Sequence, residues 1–173
     1  MKFFSSTVPS NSPQHLINSF PWASLGAGTV VDVGGSDGYI SIELAHAFPE
    51  LHFLVQDLPN IVANMVPPPE LAGRVEFLGH DFFTEQYIKD ADVYLFRWVL
   101  HDWPDDYMIK ILRHLIPALK PGARIIINDN VGPGQSGLLP LDAERYVRYG
   151  VSTRFTDLTQ PGWIPVSQEK CPG

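Results

Sequence analysis

A histidine surrounded by carboxylates and aromatic rings lies near the middle of the chain. Residues 97–105 read RWVLHDWPD, and an apolar stretch that predicts a strand, residues 91–96, leads directly into them. Imidazole takes up and releases protons near neutral pH, which suits a general base. Ligands of open α/β sheets bind where a strand gives way to a helix. We therefore take His101 as a candidate catalytic base, against the alternative of a capping or core histidine.

A glycine-rich turn, residues 32–38 with the sequence DVGGSDG, follows the first predicted strand. Glycine lets the backbone turn sharply and approach a ligand closely; the alternative is an ordinary strand-to-helix turn. A dinucleotide fingerprint requires the spacing GxGxxG, and alignment on Gly35 and Gly38 places Val33 at its first glycine. This mismatch argues against a nicotinamide-dependent reductase. The carboxylate of Asp32 favours a ligand that carries a positive charge and no phosphate.

Two more acids follow the next two predicted strands. Asp57 stands 19 residues after Gly38, where an acid accepts hydrogen bonds from the ribose hydroxyls of an adenosine. Its alternative role is to cap the next helix. Asp81 precedes Phe82, and the pair suits the amine and the ring of adenine, against the alternative of a loop acid and a core phenylalanine. With Asp32, these acids end three consecutive strands, which strengthens the prediction of an adenosine-type ligand.

The elements that must position these residues alternate between strands and helices. We predict strands at residues 29–33, 52–56, 74–78, 91–96 and 124–127, and helices at residues 14–20, 39–48, 60–65, 105–119 and 141–149. Such alternation predicts right-handed βαβ units, and the continuous apolar runs predict strands that are covered on both faces. The predicted fold class is therefore α/β, a Rossmann-like, doubly wound and mostly parallel sheet.

The pattern changes along the chain in three stages. Residues 1–28 form a weakly patterned lead-in with one short helix, and residues 29–149 carry the alternating core. Residues 150–173 predict an irregular tail without strand or helix. Because 173 residues is the length of one ordinary domain, we expect a single core with two flanking segments.

Composition narrows the class of protein. The formal net charge of −7 and a pI of about 5.2 argue against a nucleic-acid partner. Cys171 is the single cysteine, so no disulfide forms within the chain and a reducing, cytoplasmic location is expected. Apolar runs are too short for a signal peptide or a membrane span, and the histidines lack metal-ligand spacing. We therefore predict neither membrane association nor a metal site.

Four motifs, in their order and spacing, resemble those of S-adenosylmethionine-dependent O-methyltransferases, most closely the fungal members of the caffeate and flavonoid class. They read VDVGGSDG at residues 31–38, QDLP at 56–59, HDFF at 80–83 and RWVLHDWPD at 97–105. The resemblance extends over about residues 1–149 and implies a class I methyltransferase core with S-adenosylmethionine as its cofactor.

The resemblance also implies roles for individual residues. His101 is the implied general base, and Asp129 matches the acid that orients it. With the glycine turn and the second motif included, the predicted cofactor-binding residues are Asp32, Gly34, Gly35, Asp57, Leu58, Asp81, Phe82 and Arg97.

The chain also departs from the family's pattern. Ser36 stands where a glycine is common, and family members are longer, so the chain resembles a core truncated at both ends. The last strands of the family are expected to be missing, which leaves the strand at residues 124–127 on an open edge. Either the tail covers that edge, or another copy pairs with it to give a homo-oligomer, or the fold is poorly stable.

The implied activity is methyl transfer from S-adenosylmethionine to a hydroxyl of a small aromatic or polyketide-like secondary metabolite. A phenol has a pKa near 10 and loses its proton as the new bond forms, so a histidine is a suitable acceptor. One alternative is a non-catalytic or regulatory protein that retains the cofactor-binding fold, which the missing pocket segments favour. Another is a family member that catalyses a reaction other than methylation, which the intact cofactor turn argues against.

Overall fold

The computed structural model describes residues 12–129 and the backbone of a strand at Ser152–Thr156. The strands are β1 (Thr29–Val33), β2 (His52–Asp57), β3 (Val75–Gly79), β4 (Val93–Arg97), β5 (Arg124–Asp129) and β6 (Ser152–Thr156). The helices are α1 (Pro13–Ser19), α2 (Tyr39–Ala47), α3 (Pro59–Val62) and α4 (Asp105–Leu115), and short 3₁₀ turns lie at Trp22–Leu25, Pro69–Leu71, Leu100–Asp102 and Ile116–Ala118. The predicted helix at residues 141–149 lies outside the described residues.

The six strands form one sheet in the order β3-β2-β1-β4-β5-β6. β1 to β5 run parallel, and Val30 of β1 pairs with Phe53 of β2 on one side and with Val93 of β4 on the other. The chain order therefore reverses between β1 and β4, which is the switch point where doubly wound sheets bind ligands. This topology confirms the predicted α/β fold class.

The tail contributes a strand that the sequence analysis does not predict. β6 pairs with β5 in antiparallel register, with Ser152 opposite Asp129. The expectation of a tail without any strand is therefore wrong at Ser152–Thr156. Of the three possibilities for the β5 edge, the structure shows the first, in which the tail covers it, so this edge is not open to a second copy. The segment reads STRFT, whose β-branched and aromatic residues favour strands, and the edge of β5 supplies the hydrogen-bonding partners.

Apolar clusters cover both faces of the sheet because successive side chains of a strand point in opposite directions. Val30 belongs to the cluster that includes residues of α1 and α2, while its neighbour Val31 belongs to the cluster that includes residues of α4. Trp22 is fully buried in the first cluster, and its indole N–H donates to the Leu16 carbonyl at 2.9 Å. Burial on both faces accounts for the continuous apolar runs of the central strands.

Two predicted helices are shorter in the structure than in the sequence prediction. α4 ends at Leu115 and continues as a 3₁₀ turn, because Pro117 lacks an N–H and its ring clashes with the preceding helical turn. α3 has 4 residues, and residues 80–92, which connect β3 to β4, form neither helix nor strand. None of the described helices has the length and apolar character needed to cross a membrane.

Candidate active site

His101 and Asp129 meet at the carboxyl edge of the sheet. Asp129 is the last residue of β5, and its Oδ1 lies 2.7 Å from His101 Nδ1. Its Oδ2 accepts a hydrogen bond from the Leu100 N–H at 3.1 Å. A carboxylate partner places the proton on Nδ1 and leaves Nε2 as an acceptor. The structure thus brings together the two residues that the sequence predicts to act together.

A second carboxylate lies beside the imidazole. Asp102 Oδ1 is 3.4 Å from His101 Nε2, and the Asp102 side chain is 70% exposed. Asp102 belongs to one of the sequence motifs but is not among the predicted site residues. The structure places its carboxylate beside Nε2, the ring nitrogen that does not contact Asp129. The sequence signal that could have indicated a role for Asp102 is its position directly after His101, the candidate base.

The glycine turn and the His101 segment pack directly against each other. A side chain at Gly34 would place its Cβ 2.8 Å from Val99 Cγ2, and Gly34 has a φ of +76° that favours glycine. The N–H groups of Gly34 and Gly35 both donate to the Gln56 carbonyl, at 2.8 and 2.9 Å. The turn is therefore tied to β2 by its backbone and to the His101 segment by close packing.

Asp32 lies beneath this turn and not on its surface. Its side chain is buried, and its Oδ2 accepts a hydrogen bond from Ser41 Oγ at 2.6 Å. Burial raises the pKa of Asp32 to about 6, although Ser41 and the charge of Arg97 act in the opposite direction. The carboxylate faces Ser41, and a contact between Asp32 and a ligand stays a prediction.

Asp57 and Leu58 follow β2 beside the turn. Asp57 Oδ2 accepts the Ser36 N–H at 2.9 Å, and Oδ1 accepts the N–H of Leu58 at 2.7 Å. The N-cap of α3 is Leu58, and no side chain caps that helix, so the alternative capping role of Asp57 is not supported. Ser36 has a φ of +52°, and its N–H holds the Asp57 carboxylate at the turn.

An aromatic cluster adjoins Asp81. Asp81 is exposed and its Oδ1 accepts the Phe83 N–H at 2.9 Å. The rings of Phe82 and Phe83 lie edge to face at 5.0 Å, and Trp103 lies 4.7 Å from Phe83 and 6.0 Å from Phe82. Phe82 is a predicted site residue, whereas Phe83 and Trp103 are not. The aromatic residues that recur in the motifs at residues 80–83 and 97–105 were the sequence signal that could have indicated this aromatic cluster.

Arg97 ends β4 at the switch point of the sheet. Its guanidinium donates to Asn128 Oδ1 at 2.7 Å and lies 4.4 Å from the centre of the Trp98 ring. Burial lowers the pKa of Arg97, while the nearby charge of Asp32 raises it. Trp98 has a φ of +54°, and its buried indole N–H has no hydrogen-bond partner within the described residues. The backbone is therefore strained between the predicted cofactor residue Arg97 and the predicted base.

These residues share one edge of the sheet. The predicted site residues there are Gly34, Asp57, Leu58, Asp81, Phe82, Arg97, His101 and Asp129. In residues 12–129, no three His, Cys, Asp or Glu side chains are grouped as metal ligands. The arrangement combines exposed carboxylates, the aromatic cluster beside Asp81 and a histidine held by the buried carboxylate of Asp129.

Comparison of the chain with known proteins identifies relatives. The O-methyltransferase domain family matches residues 13–146. The grayanic acid biosynthesis cluster O-methyltransferase of Cladonia grayi is 56% identical over 147 residues, which cover 83% of this chain and 32% of the relative. The chain spans about a third of the length of the curated relatives it matches.

Solved structures show the same fold. CalO1, a methyltransferase in calicheamicin biosynthesis in its SAH-bound form, has a TM-score of 0.59 and 31% identity, covering 70% of this chain and 36% of that chain. A structure described as a pericyclic reaction enzyme has a TM-score of 0.55 and 29% identity, covering 71% of this chain and 32% of that chain. Similar proteins thus include methyltransferases and one enzyme named for a different reaction.

Proposed function

The chain belongs to the O-methyltransferase domain family, and from this premise we propose that it binds S-adenosylmethionine and catalyses methyl transfer to a hydroxyl of a small molecule. The SAH-bound state of one structural relative supports the cofactor. Two relatives are named for the biosynthesis of grayanic acid and of calicheamicin. This supports an acceptor from secondary metabolism, with an aromatic or polyketide-like skeleton.

The chemistry of the site suits the proposed cofactor. Asp57 keeps lone pairs beyond its two backbone hydrogen bonds, and these are available to the ribose hydroxyls. Asp81 exposes a carboxylate for the adenine amine beside the ring of Phe82. Arg97 supplies a cation for the carboxylate of the cofactor. The acids that surround these groups suit a positively charged sulfonium and would repel a pyrophosphate.

His101 is the proposed general base. When bound, S-adenosylmethionine supplies an electrophilic methyl group on sulfur. His101 Nε2 would accept the proton of the acceptor hydroxyl as that oxygen takes the methyl group, and S-adenosylhomocysteine would leave with the electron pair of the former carbon–sulfur bond. Asp129 holds the ring through Nδ1 and stabilises the imidazolium that results.

The single observation that carries the proposal is the 2.7 Å contact between His101 Nδ1 and Asp129 Oδ1. Val99, two residues before His101, packs against Gly34 of the glycine turn. This packing supports the proposal because the proposed base lies next to the turn that is proposed to hold the cofactor. Positioning of two reactants in this way accounts for much of the rate gain in a displacement reaction.

The test is turnover with a panel of phenolic acceptors. We expect the protein to release S-adenosylhomocysteine and a product that is heavier by one methylene group, and His101→Gln to abolish both. Bound cofactor without turnover on any acceptor would instead favour the non-catalytic alternative.

A second candidate is a reaction other than methylation in the same pocket. The observation that favours it is the structural similarity to the enzyme described as pericyclic. The same assay separates the two candidates, because an isomerised product has unchanged mass and forms without consumption of the cofactor.

A further inference from the structure

We infer that a buried pair of glutamine side chains, Gln56 and Gln86, sets the spacing between the ribose side and the adenine side of the cofactor site. The inference rests on the proposed function, because it assigns these residues a role in cofactor binding. Both are positioning residues, since each acts through neighbouring residues and not by contact with a reacting atom.

The two amides form a closed pair. Gln56 Nε2 donates to Gln86 Oε1 at 3.1 Å, and Gln86 Nε2 donates to Gln56 Oε1 at 2.7 Å. The two residues are 1% and 2% exposed, so water does not compete for these bonds. Two reciprocal bonds between planar amides fix the relative orientation of their chains more tightly than apolar packing does.

Gln56 holds the ribose side of the site. Its carbonyl accepts the N–H groups of Gly34 and Gly35, and the next residue along β2 is Asp57. Asp57 in turn receives the Ser36 N–H at 2.9 Å. A shift of Gln56 therefore moves both the glycine turn and the proposed ribose ligand.

Gln86 holds the adenine side of the site. It lies in residues 80–92, which contain no helix and which begin with the segment that carries Asp81 and Phe82. Its N–H donates to the His114 carbonyl at 3.0 Å, and its Oε1 also accepts the Ile88 N–H at 2.9 Å. A connection without regular structure depends on such ties for its position. Gln86 is therefore the buried anchor that sets this connection against β2.

The test measures cofactor affinity and turnover in variants of the pair. Gln86→Glu keeps the shape but removes the donor to Gln56, and Gln86→Met and Gln56→Met keep approximate volume without either bond. We expect the Kd for S-adenosylhomocysteine to rise by about tenfold, because binding must then order the spacing that the pair fixes in advance. Methylthioadenosine, which retains only the adenosine half, should lose affinity by the same factor. In the Gln86 variants the kcat at saturating cofactor should change less than the Kd, because the bonds of His101 and Asp129 involve neither glutamine.

Lys120→Met is the matched control for general loss of stability. Lys120 Nζ lies 2.6 Å from Asp92 Oδ1, and Asp92 also accepts the Thr29 N–H at the opposite end of β1. This variant should lower the Tm without a change in Kd. If Gln86→Glu does not fold, the two methionine variants provide the measurement.

The outcomes separate the inference from the proposed function. Wild-type binding with weakened binding in the glutamine variants supports the inference. Wild-type binding with unchanged Kd in folded glutamine variants overturns it, while the proposed function stands. Failure of the wild-type protein to bind either ligand overturns both.

Discussion

The carboxylate of Asp129 holds His101 twice, once through the imidazole Nδ1 at 2.7 Å and once through the backbone of the preceding residue, Leu100, at 3.1 Å. Asp129 itself is 4% exposed and ends β5, a strand paired on both sides. The proposed base is thus fixed to the sheet in both orientation and position.

Replacing Asp129 with Asn tests the role of the buried charge. Asparagine keeps the volume and accepts the Leu100 N–H, but it does not stabilise an imidazolium. We expect kcat to fall by about 100-fold or more, which is the range of general-base catalysis, while the Kd for the cofactor changes little. Steady-state kinetics and calorimetry on the same preparation provide the two numbers. A variant with full kcat would exclude Asp129 from the mechanism.

Replacing Gly34 with Ala tests the packing between the glycine turn and the His101 segment. The new Cβ would lie 2.8 Å from Val99 Cγ2, and the overpacking should lower the free energy of unfolding by about 1–3 kcal/mol beyond the backbone strain. Gly73→Ala is the control, because Gly73 has a φ of +79° with nothing within 4 Å, so it bears only the strain of about 1–2 kcal/mol.

The same contact can be tested by rescue. Val99→Ala removes the clashing methyl groups, so Gly34→Ala should be less destabilising in that background than in the wild-type background. Chemical denaturation of the single and double variants gives the coupling energy. Additive effects would show that Gly34 and Val99 do not restrict each other.

The pH dependence of stability tests the burial of Asp32. Burial raises the pKa of Asp32 from 3.8 to about 6, so the folded protein retains a proton that the unfolded chain releases first. This contribution to stability is complete below pH 3.8 and is lost as the pH rises through about 6. A shift of this size corresponds to about 3 kcal/mol. Asp32→Asn removes the effect, so its stability relative to wild type should increase between pH 4 and pH 7 in denaturant titrations. A constant difference across that range would contradict the assignment.

Much of the fold was predictable because its signals are local. Continuous apolar runs marked β1, β2 and β5, and the alternation with helices predicted a parallel sheet, as the structure confirms. Pro117 was an overlooked local signal, since it ends α4 before the predicted residue 119. β6 was not predicted because its partner, the free edge of β5, exists only after the sheet has formed.

The candidate site likewise contains residues that local sequence signals predict and residues whose positions depend on tertiary packing. Motif spacing predicted His101 and Asp57 as site residues, and their positions follow from the ends of strands. The Gln56–Gln86 pair spans 30 residues of sequence, and no local pattern indicates that two glutamines will meet in a buried place. The burial of Asp32 was likewise invisible, because whether an acid lies above or beneath a turn depends on the packing of Ser41 and α2.

Calorimetric titration of the purified protein with S-adenosylmethionine tests the central claim most directly. The account predicts saturable binding at a single site, with affinity lowered strongly in Asp57→Ala because each lost hydrogen bond to a charged group is worth about 1.5–3 kcal/mol. A titration of folded wild-type protein without heat of binding at millimolar cofactor, confirmed by an unchanged Tm, would contradict it.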